Sequence, residues 1–129
     1  MVKLAEIMTA GVITAHSDTP VAEAAKAMMK GRIGSAVVMQ GSLPTGIITE
    51  RDVLRAAASG TDLTRSPVSK WMTSHPETAE EDLESDRAAE IMLSGGFRHL
   101  PVVEGNKLVG IVSLRDVLSA RIRQRPPND

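Results

Sequence analysis

Residues 1–60 laid on residues 65–124, an offset of 64 without a gap, match at eighteen positions, among them Met8, Thr9, Asp18, Met28, Gly46, Asp52 and Leu54. Ordinary residue usage does not produce such agreement between unrelated stretches, so the chain is a duplication. Self-similarity on this scale restricts the fold to two copies of one supersecondary unit. A unit of about 60 residues with one apolar sheet face buries too little surface to be comfortable alone, and the copies are expected to pack against each other. They are assigned to residues 1–60 and 69–123, with 61–68 as the linker and 124–129 as a flexible tail.

Each copy reads the same way along its length. A lead-in, AEIMT in the first and SKWMT in the second, precedes an extended stretch around Thr14 and Thr78. Thr19 before Pro20 has the form of an N-cap followed by proline at the first helical position, and Asp82-Leu83-Glu84 opens the second helix. Val21, Ala24, Ala25 and Met28 fall on one helical face, as do Ala88, Ala89, Met92 and Leu93. Gly31 and Gly95-Gly96 stop these helices. Two apolar runs follow in each copy, SAVVM and LPTGIIT, then HLPVV and KLVGIVS; the glycine-centred turns QGS and EGN between them mark hairpins. Helical period returns with Val53, Leu54 and Ala57 after Thr49, and with Val117, Leu118 and Ile122 after Ser113. The unit is β-α-β-β-α and the fold class α+β.

Composition narrows the function. A net charge of −1 gives no broad positive field for nucleic acid, and Arg121, Arg123 and Arg125 alone are thin support for a DNA- or RNA-associated regulator. With no cysteine there is no disulfide, thiolate metal site or cysteine nucleophile. No apolar run approaches the ~20 residues of a membrane span, and MVKLAEIM lacks the order of a secretion signal, so a cytoplasmic location without membrane contact is expected. Trp71 and Phe97 are the only aromatic residues, too few for a stacking platform. Trp71 is expected to be a packing anchor, and Met28, Met29 and Met92 flexible core filler.

Catalytic chemistry finds no foothold. His16, His75 and His99 lack zinc-ligand spacing, and no nucleophile elbow or Walker loop is present. The acidic run Glu80, Glu81, Asp82, Glu84 and Asp86 sits at a helix start, where the dipole favours it, and lacks a calcium loop's spacing. Neither an enzyme nor a metal site is expected.

The informative stretches are GIITERD at 46–52 and GIVSLRD at 110–116. In one reading Thr49 and Ser113 are N-caps, with Asp52 and Asp116 three residues on completing a capping box, a device worth about 1 kcal/mol. In the other, a hydroxyl and free amides at a helix N-terminus suit a phosphate, and a carboxylate one turn later accepts hydrogen bonds from the vicinal hydroxyls of ribose. The same atoms serve both, and both readings stand at this stage. Arg51 and Arg115, next to the aspartates, are expected to point to solvent.

Over roughly residues 2 to 122 the chain resembles a tandem pair of cystathionine-β-synthase (CBS) domains, a Bateman module. The duplication, the Gly-apolar-apolar-Thr/Ser-x-x-Asp motif in both copies and FRHLPVVE upstream of the second carry the resemblance. It implies two repeats packed with pseudo-twofold symmetry through their small sheets, leaving two clefts. It implies that Thr49 and Ser113 contact phosphate or ribose, that Asp52 and Asp116 take the ribose hydroxyls, that Arg98 and His99 reach phosphates, and that adenine lies near Thr14 and Thr78. AMP, ADP or ATP are the leading ligands, with S-adenosylmethionine or NAD behind and no obligatory cofactor. A stand-alone regulatory protein of signal transduction is implied, a homodimer acting on an unknown protein partner. At the offset of 64, however, Gly34 and Ser35 stand where the second copy has Arg98 and His99. One good site is therefore expected, with Ser113 and Asp116 as its pair. The competing expectation is a ligand-free module for dimerisation or docking, whose motifs are caps only.

Overall fold

The computed structural model describes residues 1–123, so the expected tail at 124–129 lies outside the described residues. The chain is α+β. In order it forms α1 (Leu4–Ile7), β1 (Thr14–Ala15), α2 (Val21–Gly31), β2 (Ser35–Gln40), β3 (Leu43–Thr49), α3 (Glu50–Ala58), a 3-10 turn at Val68–Lys70, β4 (Thr73–Ser74), β5 (Ala79–Glu80), α4 (Ser85–Gly95), β6 (His99–Glu104), β7 (Lys107–Ser113) and α5 (Leu114–Arg123). From β1 to α3 and again from β5 to α5 the order is the β-α-β-β-α of the repeat.

One sheet has the order β1-β2-β3-β4 and the other β5-β6-β7. Each is mixed: the short first strand runs parallel to the second, and the second and third form an antiparallel hairpin. The hairpins turn on Gly41 and Gly105, both at φ 61, a conformation in which a Cβ is penalised. Both copies carry a register shift at the same place, between Val38 and Met39 and between Val102 and Val103.

The described residues form two compact units, residues 12–76 and residues 1–11 with 77–123. In the first, Val21, Ala24 and Met28 of α2 pack with Ala36, Val38, Ile48, Ala56 and Val68. In the second, Leu4, Ala88 and Met92 pack with Leu100, Val102, Val112 and Val117. These units do not follow the numbering of the repeats, because each lead-in serves the other copy. Ser66 O accepts from Val21 N at 2.9 Å, and Val2 O, 64 residues earlier, accepts from Ser85 N at 2.7 Å. Likewise Val68 N donates to Thr19 O at 2.8 Å, and Leu4 N to Leu83 O at 2.9 Å. Residues 61–68, expected as a linker, are therefore built into the first unit, with Ser66 and Val68 buried and Leu63 packed against the core.

Three local expectations need correction. Thr19 is not the cap of α2: its Oγ1 accepts from His16 N at 3.0 Å, and the helix starts after Pro20 with Val21 N and Ala22 N taken by the carbonyls of Ser66 and Leu63. A backbone acceptor from another segment replaces the side-chain cap. Met29, read as core filler, and Leu93, read as part of the buried face of α4, are 80% and 68% exposed. Leu54, Leu118 and Ile122 are exposed as well, because a helix lying on a small sheet buries only a narrow stripe, here Ala56 on α3 and Val117 and Ala120 on α5. Trp71 does pack as an anchor, against the core of residues 12–76, with its Nε1 donating to the buried Ser66 Oγ at 2.9 Å.

Candidate functional site

Each motif lies where a strand runs directly into a helix. β3 ends at Thr49 and α3 begins at Glu50; β7 ends at Ser113 and α5 begins at Leu114. The glycine that opens each motif permits a close approach. A Cβ on Gly110 would stand 2.5 Å from Met8 Sδ and 3.1 Å from Thr9 O, and one on Gly46 would collide with the Met72 side chain. The lead-in methionines Met8 and Met72, one matched to the other by the repeat, thus lie against these glycines.

At the N-terminus of α5, Ser113 N donates to Asp116 Oδ2 at 2.8 Å and Asp116 N donates to Ser113 Oγ at 3.0 Å. This is a reciprocal capping box. Only one carboxylate oxygen of Asp116 is engaged by it, and the residue is half-buried. Leu114 N donates to Arg98 O at 2.9 Å, which fixes the backbone of Arg98 at the same helix end. His99 starts β6 and pairs in register with Ser113, half-buried, while Arg98 is exposed. A hydroxyl and a carboxylate thus meet at one helix N-terminus, with the backbone of Arg98 and His99 held next to it.

The first copy has the same frame and a different load. Thr49 N donates to Asp52 Oδ2 at 2.9 Å, Thr49 Oγ1 donates to the same oxygen at 3.1 Å, and the return bond from Asp52 N to Thr49 Oγ1 is long, 3.5 Å. The other oxygen, Oδ1, accepts from Arg55 Nη1 at 2.6 Å, so both oxygens of Asp52 are engaged, and the residue is only 8% exposed. Arg55 also lies over the Trp71 ring, 5.7 Å from its centroid. Glu50 N donates to Gly34 O at 3.1 Å, the counterpart of the bond at Arg98. Ser35, paired with Thr49 across the hairpin, is 1% exposed and its Oγ has no hydrogen-bond partner.

The expected residues therefore gather by copy: Thr49 with Asp52, and Ser113 with Asp116, Arg98 and His99. Thr14 and Thr78 are both exposed and stand farther off. Thr14 lies on β1 opposite Val37, two strands from Thr49, and Thr78 immediately precedes β5. Arg51 and Arg115 are exposed, as their place on the first helical turn suggests. Two residues of this region were not singled out from sequence, Arg55 and Ser35. For Arg55 a signal existed, since an arginine three residues after an aspartate on a helix is placed to pair with it.

The family model for the CBS domain matches this chain twice, at residues 4–59 and 68–123. An uncharacterized 17.7 kDa protein of Acidianus ambivalens is 45% identical over 120 residues, covering 92% of this chain and 72% of that protein. The chain spans 84% of the CBS domain-containing protein YhcV of Bacillus subtilis, at 32% identity over 118 residues, but only 15% of the meiotically up-regulated gene 70 protein of Schizosaccharomyces pombe. Among solved structures, the CBS domain pair of protein MJ0100, in complex with 5-methylthioadenosine and S-adenosyl-L-methionine, is similar at a TM-score of 0.88 and 28% identity, covering 97% of this chain and 99% of that one. The CBS domain protein PAE2072 of Pyrobaculum aerophilum, complexed with AMP, is similar at 0.83 and 28% identity, covering 95% and 99%.

Proposed function

Since the chain belongs to the CBS domain family and carries its domain twice, we propose that it is a regulatory module, not an enzyme, that binds an adenosyl ligand at the α5 N-terminus. The observation that carries this reading is Asp116. Its Oδ2 completes the helix cap while its other oxygen is left over for a ligand, beside Ser113, Arg98 and His99. A cap needs one carboxylate oxygen, whereas a ribose diol needs an acceptor that the cap has not consumed. The basic pair adds charge for a phosphate, which favours an adenine nucleotide such as AMP, ADP or ATP over S-adenosylmethionine or NAD. Thr14 and Thr78 remain assigned to the base. The adenosyl ligands of MJ0100 and PAE2072 support the same ligand class.

In this reading the module acts as a sensor. A ligand changes the balance between two arrangements only by its differential affinity for them. No helix among the described residues is long and apolar enough to cross a membrane. We assign the module to the cytoplasm, with no nucleic-acid partner.

A specific observation favours dimerisation as well. Four of the seven exposed large apolar side chains among the described residues come in repeat-matched pairs, Met29 with Leu93 and Leu54 with Leu118, on α2 with α4 and on α3 with α5. A surface duplicated within one chain suits a second copy of that chain. Under the competing reading this dimer, docked on an unknown protein, is the whole function and the motifs only cap helices.

A thermal-shift series with AMP, ADP, ATP, S-adenosylmethionine and NAD separates the two. A ligand at one hundred times its dissociation constant adds about 2.7 kcal/mol, which raises the midpoint of a chain this size by several degrees. Asp116→Ala is expected to abolish that rise. No shift with any of the five, together with a dimer mass in light scattering, would leave the structural reading in its place.

A further inference from the structure

We propose that two molecules of this protein pair through unlike faces, α2 and α3 of one chain against α4 and α5 of the second, with Met29 set against Leu93. The inference rests on the dimer reading given above and decides which surfaces meet in it.

The first argument is charge. On α2, Ala22, Ala25, Lys26 and Met29 follow the i, i+3, i+4, i+7 spacing of one helical stripe, and Asp86, Ala89, Glu90 and Leu93 hold the matched positions of α4. Lys26, Met29, Glu90 and Leu93 are exposed, and the other four are half-buried. The duplication has thus kept an apolar end on each stripe and reversed the charge beside it. Lys30 and Arg32 extend the positive end of α2 where α4 has Ser94 and Gly96. Just off the stripe, Glu23 is matched by Arg87, again with the sign reversed.

The same polarity runs through the two compact units. Residues 12–76 carry seven Lys or Arg against five Asp or Glu, and residues 1–11 with 77–123 carry seven against ten. Like faces brought together would set Lys26, Lys30 and Arg32 near their own kind, and Asp86 and Glu90 near theirs, whereas unlike faces bring opposite charges together. The acids of α4 are engaged within the chain, Glu90 Oε2 by Arg87 at 2.7 Å and Asp86 Oδ1 by Arg121 at 3.4 Å. Both pairs are exposed and worth little, so a cation of the second chain can join them.

The second argument is volume, and it is independent of the first. Leu54, Ala57 and Ala58 are exposed on α3, and the matched residues of α5, also exposed, are Leu118, Arg121 and Ile122. Two α5 faces would crowd arginine on arginine and isoleucine on isoleucine, while α5 against α3 sets large side chains over alanines, the shape match a packed interface needs. Unlike faces close into a dimer when each chain supplies both, so that the same contact is made twice about a twofold axis.

The absence of cysteine makes the pairing directly testable. Met29→Cys and Leu93→Cys are made as separate chains, one of them carrying a mass tag, and are oxidised alone and after mixing. The mixture is expected to give a disulfide-joined pair containing one of each, because only unlike pairing brings these positions within the reach of a disulfide. Light scattering on charge variants gives the second reading. Lys26→Glu and Glu90→Lys are each expected to weaken the dimer about tenfold, and the two changes combined in one chain to restore it, which a damaged fold would not do.

Cross-linking of Met29→Cys or of Leu93→Cys with itself, at a yield matching the mixture, would overturn the proposal, as would a mixture that gives no cross-link. Single charge reversals that leave the dimer unchanged would overturn it too, since like faces are indifferent to them. In these cases a native chain of dimer mass would leave dimerisation standing and only the pairing lost. A native chain that stays monomeric at every concentration would end both, without touching the reading of Asp116.

Discussion

Asp52 and Asp116 occupy the same position of the repeat and do different work. Asp52 accepts from the amide and hydroxyl of Thr49 and from Arg55, and is buried; Asp116 accepts from the amide of Ser113 and is half-buried. The stability cost of removing each carboxylate should differ accordingly. Asp116→Ala is expected to cost about 1 kcal/mol, the size of a capping interaction, and Asp52→Ala about 2 kcal/mol, because a charge-assisted bond goes with the cap. Urea midpoints of the two variants measure the difference, and equal losses would show that Arg55 contributes nothing. The caps themselves were readable from the motif, since all their atoms lie within three residues. The ion pair to Arg55 was equally local, yet its contact with Trp71 joins residues 16 apart and no spacing rule announces it.

At the scale of elements, the ends of α2 and α4 show how the duplicated unit has diverged. α4 ends at Gly96 with φ 72, the left-handed conformation that glycine adopts freely; α2 ends at Arg32, forced into the same region at φ 54. A side chain in that conformation costs roughly 1–2 kcal/mol, offset in part by the flexibility glycine adds to the unfolded chain. Arg32→Gly is therefore expected to stabilise the protein by up to ~1 kcal/mol, seen as a higher urea midpoint with unchanged slope. A lower midpoint would mean that the Arg32 side chain repays its backbone strain. Hairpins, helices and the glycine stop of α4 were legible because period and turn chemistry are local; the expected stop of α2 at Gly31 was not met, since Gly31 stays helical and Arg32 takes the left-handed position. The N-termini of α2 and α4 were not legible, because the carbonyls of Ser66 and Val2 that receive their amides leave no signature in residue type.

For the whole molecule, the decisive feature is the exchange of lead-ins between the copies. Leu4 is wholly buried with Ala88, Met92, Leu100 and Val112, all of them in the second repeat. Around it Lys3 pairs with Glu84 and Thr9 with Ile111. Leu4→Ala is expected to cost about 2–5 kcal/mol through the cavity it leaves. The loss should appear as faster amide exchange in β6 and β7, strands far from Leu4 in sequence. Exchange confined to residues 12–76 would contradict the packing. The sequence by itself determined the duplication, the α+β class, the strand and helix order and the two capping boxes, because each depends on period, on turn residues or on contacts within a few positions. Only the tertiary structure decided which lead-in completes which copy, which apolar helix residues stay exposed, and that one motif aspartate is loaded by Arg55 while, among the described residues, its twin is engaged through one oxygen. Those outcomes depend on backbone carbonyls and on side chains brought together from distant segments, and a hydrogen bond to a carbonyl is the same whichever residue supplies it.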